Sequence, residues 1–278
     1  MTSLLRDKLL ARIAEMRDAV DHQRLAEEVL GIRGAPPALA KRLVAQALVV
    51  EDRRDEWRRA GERICCAAPQ TPGVYVLKDA HDRPLYVGKA VNLRRRLRTH
   101  FADRRWRAIK PAFARAADAE WQEVGSELEA LLREAVLIHD LQPPVNVQTR
   151  PPELDARAVP PALLRDTVVL VPSVEDDSIE FVAARLDDGA WMIQRTRRNG
   201  ADLAVHANRL WRFFNSALRH TRASGPSLAP IVYSWLAGRG ATATRVDPHA
   251  ARSVQELRRR LRGLLRDGRL FHERIEQW

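Results

Sequence analysis

Cysteine, lysine and long apolar runs are all scarce in this sequence, and each scarcity removes a class of protein. The only cysteines among the 278 residues are Cys65 and Cys66. Adjacent cysteines make neither a disulfide framework nor a CxxC redox pair nor a zinc site, so packing is their expected role. No stretch approaches the ~20 apolar residues of a membrane-spanning helix; the nearest run, around residues 43–50, is broken by Gln46. The first twenty residues mix Arg6, Lys8 and Arg12 with Asp7, Glu15 and Asp18, which fits neither an apolar signal core nor an acid-poor transit peptide. A soluble protein of the cytoplasm, with no membrane partner, is expected. Lysine occurs only at positions 8, 41, 78, 89 and 110, yet Lys plus Arg total 47 against 36 Asp plus Glu. The net charge of +11 is therefore carried by arginine.

Hydrophobic residues make up 45% and charged residues 30% of the chain, the balance of an ordinary globular protein. The length suits about two domains with a small appendage. A strongly basic chain favours polyanionic partners, because each phosphate neutralised by a cation releases condensed counterions and the net field steers association. Arginine enrichment also arises from a GC-rich genome, so the position of the arginines decides whether they mark a site.

Residues 1–65 read as helices. Leu4, Leu5, Leu9, Leu10 and Ile13 recur at three- to four-residue spacing, a second helix falls near residues 24–30, and a third runs from about Pro37 to Val49 after a Gly-Ala-Pro-Pro turn. Residues 49–57 then read as a short hairpin with a charged tip. Helix, helix, turn, helix and hairpin is the order of a winged helix, whose third helix enters a DNA major groove. Further on, prolines at 143, 144, 151, 152, 160 and 161 with few large apolar residues between them give the composition of a stiff linker over residues 149–163. Residues 164–278 follow as a smaller α/β unit, with strands over 167–171, 179–186 and 190–195 and helices over 203–218, 230–236 and 254–265. Its arginine clusters at 195–198 and 258–262 are candidates for nucleic-acid contact, the second also reading as a solvated helix face.

Residues 68–148 are the most informative. Gly73-Val74-Tyr75-Val76-Leu77 and Pro84-Leu85-Tyr86-Val87-Gly88 read as the strands of a hairpin around a turn at 79–83. Tyr75 and Tyr86 then lie on neighbouring strands, in a position to oppose each other, and Gly73 and Gly88 permit close backbone approach. Asn92 caps a helix over 93–101 that carries Arg94, Arg95, Arg96 and Arg98; Arg96 and His100, at i and i+4, share a face. A helix over 107–116 and a strand over 119–124 come next. Ser126 with Glu129 forms a capping box that opens a helix with Leu128, Leu131, Leu132, Ala135, Ile138 and Leu141 on its apolar face, ending near Gln142. Glu134 rides on that helix, and Asn146 follows in Pro-Pro-Val-Asn.

Hydrolysis of a phosphodiester asks for an aligned, deprotonated water, neutralised phosphoryl oxygens and a stabilised leaving alkoxide. A phenol, a guanidinium and a helical carboxylate able to hold a divalent cation through a hard oxygen can supply them. Singly, each residue has an ordinary explanation: a strand tyrosine fills a core, and an arginine or glutamate on a helix is usually solvated. In this order and spacing, Gly-Val-Tyr at 73–75, Tyr-Val-Gly at 86–88, Lys89, Arg96, His100, Glu134 and Asn146 together resemble the motif set of the GIY-YIG nuclease superfamily. The run from Pro72 to Ala90 is similar to the nuclease domain of UvrC and to the related domain fused to exonucleases of the DNA polymerase III epsilon type. The resemblance covers about residues 70–147.

It implies Glu134 as the sole protein ligand of Mg²⁺ or Mn²⁺, Tyr86 as all or part of the general base, and Arg96 as the holder of the scissile phosphate. His100 would assist proton transfer or orient the phosphate, while Tyr75 and Asn146 orient their neighbours. An ordinary tyrosine titrates near pH ~10, so Tyr86 needs Lys89, Arg96 or another cation to stabilise its phenolate. Arg94, Arg95 and Arg98 are expected to bind DNA. The expected architecture is α/β (α+β): a central domain with a small mixed or antiparallel sheet flanked by helices, between a helical N-terminal domain and a smaller α/β domain. The expected activity is metal-dependent DNA endonuclease, directed to a DNA structure or to single strands and acting in DNA repair, with RNA left open as a substrate. One alternative is a UvrC-like single-incision factor recruited by a protein partner; another is a non-catalytic DNA-binding protein, which has no need of a lone metal-ligand glutamate. Neither a ribonuclease-H-like carboxylate set nor paired helix-hairpin-helix motifs nor acidic exonuclease motifs are visible in the flanks, which points to a stand-alone nuclease with accessory domains on both sides.

Overall fold

The computed structural model describes residues 4–16, 20–102, 111–146, 159–215, 227–239 and 244–267. Three helices come first: α1 (Leu4–Glu15), α2 (His22–Glu28) and α3 (Pro37–Ala67). The Asp21 side chain starts α2 by accepting from the amides of Gln23 and Arg24, two of the donors that a helix start leaves open. Leu9, Leu25, Ala26, Ala40 and Val44 close a small core among the three.

α3 does not end at residue 49. It runs for 31 residues, so helix replaces the hairpin expected at 49–57, and the winged-helix order fails for want of a wing. Residues 38–60 contain no glycine or proline and are rich in Ala, Leu and Arg, so nothing stops the helix. Its second half serves the next unit, where Trp57, Ala60 and Ile64 join the core. Gly61 allows that close packing: a Cβ there would sit 2.8 Å from the Phe101 ring. Trp57 also donates its indole N–H to the Phe101 carbonyl at 3.2 Å.

The central unit is an antiparallel sheet of order β2-β1-β3, formed by β1 (Gly73–Lys78), β2 (Pro84–Ala90) and β3 (Asp118–Glu123). The Asp79 carboxylate closes the β1–β2 turn by accepting from the amides of His81 and Arg83. α4 (Leu93–Ala102) follows, capped by Asn92 Oδ1 on the Arg95 amide at 2.9 Å. Of the helix expected over 107–116, residues 107–110 lie outside the described residues, and Pro111–Arg115 forms a 3-10 turn. α5 (Glu127–Leu141) opens on the expected cap, Ser126 Oγ accepting from the Glu129 amide at 3.1 Å, and ends at Gln142 with left-handed backbone, φ 44°. The Glu129 carboxylate reaches back to the Gly125 amide at 2.7 Å.

The C-terminal unit is a second antiparallel sheet, of order β6-β5-β4-β7, from β4 (Thr167–Pro172), β5 (Ser178–Ala184), β6 (Trp191–Arg197) and β7 (Thr244–Val246). Successive strand residues face opposite sides. Val168, Leu170, Ile179 and Phe181 meet α6 (Leu203–Asn215) and α8 (Val254–Leu265). On the other side Val169, Val171 and Val182 meet α7 (Ala229–Arg239), together with Leu128 and Leu132 of α5. Burial of both faces accounts for the unbroken Val-Val-Leu-Val of β4. α5 also packs Ala130 against Val74 and Val124 of the central unit, so it belongs to two cores at once. The ends of the proline-rich stretch are also structural: Val145 packs in the central core and Leu163 in the C-terminal one, while residues 147–158 lie outside the described residues. No helix among the described residues is long and apolar enough to cross a membrane.

Candidate active site

Strand register sets the geometry. Tyr75 pairs with Gly88, and Tyr86 with Leu77, so the two tyrosines are diagonal neighbours on one face rather than an opposed pair. The turn fixes this offset. Their ring centroids are 6.0 Å apart. Gly88 is what makes room, since a Cβ there would fall 2.6 Å from the Tyr75 hydroxyl. Tyr75 is fully buried, with its Oη 2.5 Å from Nε2 of His100. The rings of Tyr86 and Phe113 complete the cluster, at 5.6 and 5.5 Å from the His100 ring.

His100 is only 1% exposed and faces Tyr75, so burial closes its direct path to a substrate. Arg96, one turn earlier on α4, is exposed, and its guanidinium engages the hydroxyls of both Tyr75 and Tyr86. The outer edge of β2 supplies the other half of the site. Its outward amides fall at alternate residues, Val87 and Lys89. Asn146 clasps Val87 twice, accepting from its amide and donating to its carbonyl, both at 2.9 Å. The Lys89 amide donates to the carboxylate of Glu134 on α5.

Burial raises the Glu134 carboxyl above its ordinary range, while the nearby Lys89 and Arg96 cations pull it down. Burial first, and the Glu134 charge second, push the Tyr86 phenol up; Arg96 and the Tyr75 hydroxyl oppose them. Tyr75 is raised well above the ordinary phenol value, mainly by burial. The expected cationic help for Tyr86 therefore comes from Arg96 and is outweighed, whereas the Lys89 charge acts on Glu134.

Tyr86, Lys89, Asn92, Arg95, Arg96, Thr99 and Glu134 line an open cleft of about 410 Å³. Of the three arginines expected on DNA, only Arg95 joins it. Arg94 turns back to cap the end of α3, with Nε 2.7 Å from the Ala68 carbonyl and Nη2 3.4 Å from that of Cys66. Arg98 is exposed, toward Cys65 of α3. Among the described residues no three His, Cys, Asp or Glu side chains gather into a metal cage. Glu134 is the one carboxylate among the described residues that line the cleft. That donor set fits a hard cation that keeps most of its own waters, as Mg²⁺ does, and not a closed zinc site.

Sequence reasoning missed an ion cluster five residues before Glu134. Glu129 meets Arg195 of β6 at 2.7 Å, and Arg195 also reaches Glu180 of β5 at 2.8 Å and Glu175 at 2.7 Å. The Ser126 hydroxyl donates to Glu180. Burial and the neighbouring Glu129 charge push the Glu180 carboxyl up to about 7. Burial also lifts Glu129, but hydrogen bonds with Gly125, Glu180 and Arg133 outweigh it and hold that group low. The cluster ties the start of the Glu134 helix to the C-terminal sheet. Its only local signal was the capping box.

A three-stranded antiparallel sheet with tyrosines on its hairpin, an arginine on the next helix and a glutamate on a helix across the edge strand defines a GIY-YIG domain. The sequence model of the UvrC-like GIY-YIG domain matches residues 71–147, and this segment is a UvrC-like GIY-YIG domain. The chain is 48% identical over 84 residues to UvrABC system protein C of Paenarthrobacter aurescens, covering 30% of this chain and 12% of that protein. It is 44% identical over 84 residues to UvrABC system protein C of Mycobacterium tuberculosis, covering 30% and 13%. The chain thus spans about an eighth of the length of these curated relatives. Among solved structures, the GIY-YIG N-terminal endonuclease domain of UvrC from Thermotoga maritima, bound to its catalytic magnesium, is 33% identical with a TM-score of 0.28; the match covers 31% of this chain and 96% of that one.

Proposed function

We propose that the chain is a metal-dependent endonuclease that hydrolyses phosphodiester bonds of DNA in the cleft between Tyr86, Arg96 and Glu134. The observation that carries this reading is convergence: a phenol from β2, a guanidinium from α4 and a carboxylate from α5 face a single open space. The Thermotoga maritima domain holds a catalytic divalent cation, and Glu134 is the residue here that would hold Mg²⁺ or Mn²⁺. Such a cation, when bound, neutralises phosphate charge and lowers the pKa of coordinated water.

The chain's own groups do the rest. Arg96, permanently charged and planar, binds the non-bridging oxygens of the scissile phosphate and offsets charge that builds in the transition state. Tyr86, deprotonated at Oη, takes the proton of the attacking water as the water oxygen bonds to phosphorus and the P–O bond to the leaving strand breaks, the leaving oxygen taking its proton from solvent. Burial and the Glu134 carboxylate both disfavour the phenolate, so compensating the Glu134 charge removes one of these two costs and leaves burial opposed by Arg96 and the Tyr75 hydroxyl. His100 fixes Tyr75, and Tyr75 fixes the positions of Tyr86 and Arg96. Lys89 and Arg95 draw the DNA backbone into the cleft. Asn146 holds the β2 edge straight between Tyr86 and Lys89. The expected setting is DNA repair, on branched, flapped, damaged or single-stranded DNA.

The test is a panel of duplex, single-stranded, flapped and branched DNAs with RNA counterparts, each incubated with the purified chain and Mg²⁺ or Mn²⁺. Metal-dependent nicking of at least one structured or single-stranded DNA is expected. No cleavage of any substrate would overturn the nuclease reading in favour of a DNA-binding protein.

A further inference from the structure

We propose that the outer face of α8, together with the adjoining face of α6, is a second DNA-binding surface that grips the phosphate backbone away from the cleft. α8 is sharply divided. Leu257, Leu261 and Leu265 are buried in the C-terminal core, whereas Arg258, Arg259, Arg262 and Arg266 on and just beyond the helix are exposed. Arg258, Arg262 and Arg266 recur every four residues, about 6 Å per step along the axis. Among the described residues none of these four makes an ion pair. The helix's only acid, Glu256, is already committed, to Arg260 at 2.9 Å and to the Arg252 amide at 2.8 Å. α6 packs beside α8 on the same sheet face. It carries no acidic residue and adds Arg209 and Arg212, both exposed and also without ion pairs.

Two other arginines of this unit are spent on acids. Arg185 pairs with Asp188, and Arg195 with Glu129, Glu175 and Glu180. Exposed arginines without ion pairs also stand elsewhere among the described residues, at Arg165, Arg197 and Arg245, but α6 and α8 bring six of them onto two adjoining helices. The chemistry of that face selects its partner. A membrane-surface helix needs a free apolar side to bury among lipids, and the leucine side of α8 is already spent on the core. A protein interface needs buried aromatic or aliphatic anchors, and the outward positions of α8 offer only Gln255, Gly263 and the arginines. Duplex DNA presents one charge per ~1.7 Å of axis, enough to meet every guanidinium along the stripe. This inference rests on the reading that the chain acts on DNA.

The experiment compares the native chain with a variant carrying Arg258→Ala, Arg259→Ala, Arg262→Ala and Arg266→Ala, all at exposed positions, with circular dichroism melts confirming the fold. Fluorescein-labelled duplex and single-stranded DNAs are titrated by anisotropy in EDTA at several salt concentrations. Affinity is expected to fall at least ~10-fold, and the slope of log K against log salt to flatten by about 2 to 4, at ~0.9 per lost phosphate contact. Single-turnover cleavage at saturating DNA should stay native. Unchanged affinity and slope would overturn the surface and leave the nuclease reading intact. A lost slope in a chain that cuts nothing would do the reverse. Phosphatidylserine vesicles captured by the native chain but not the variant, with DNA binding unaltered, would also overturn it.

Discussion

Tyr86 and Arg96 differ in what a substitution would remove. Tyr86→Phe keeps the ring against Phe113 and His100 and deletes only the hydroxyl. Cleavage should fall at least ~10²-fold with the melting temperature nearly unchanged, as single-turnover assays and calorimetry would show. Arg96→Ala should lower the cleavage rate by about 10² to 10³ while DNA affinity holds within a few-fold; native cleavage would remove its assigned role. Gly88→Ala drives a Cβ toward the Tyr75 hydroxyl and should destabilise by about 1–3 kcal/mol, with loss of activity from a displaced Tyr75. The identities of these residues were legible in the sequence because the motif is local and ordered. The diagonal placement of the tyrosines was not, since register depends on how the whole turn closes. Nor was the diversion of Arg94, whose partners at the end of α3 appear only once α3 is known to reach residue 67.

At the scale of elements, caps were the reliable signals. Asn92 and Ser126 start α4 and α5 as helix-start chemistry requires, because cap and first turn lie within four residues of each other. α3 shows the opposite case, in which a charged, breaker-free stretch read as a hairpin simply continued the helix. The tie between α5 and β6 joins residues 66 apart in the chain, beyond any local pattern. It carries a pH prediction. The Glu180 carboxyl rises from an ordinary 4.5 to about 7 on folding, so the folded state binds the extra proton. Its contribution to stability is complete below about 4.5 and is lost as pH rises through about 7, amounting to at most about 3 kcal/mol. Glu129, held low, acts in the other direction, losing its contribution only as pH falls below about 4.5. Urea unfolding between pH 5 and 8 should therefore show stability falling with pH, and Glu180→Gln should flatten that fall. A native slope in Glu180→Gln would assign it to other groups. Arg195→Met, which takes the cation from the buried Glu180 and leaves Glu129 with Arg133 as its cation, should cost about 3–5 kcal/mol.

For the molecule as a whole, the net charge resolves into parts. Lys89, Arg95 and Arg96 stand around the cleft; Arg185 and Arg195 are spent on carboxylates; the α8 stripe is exposed and, among the described residues, without ion pairs. The central unit is braced from both sides, by the second half of α3 and by the C-terminal sheet behind α5, so the helix bearing Glu134 is held at both its faces. The most direct test of this site is a side-by-side titration of Mg²⁺ and Mn²⁺ with the native chain and Glu134→Ala on the best-cut DNA, with binding followed in parallel. Native cleavage should rise with metal and vanish in EDTA, and Glu134→Ala should lose at least ~10³-fold, equivalent to several kcal/mol, while binding the same DNA. Metal-independent cleavage, or native rates in Glu134→Ala, would contradict it.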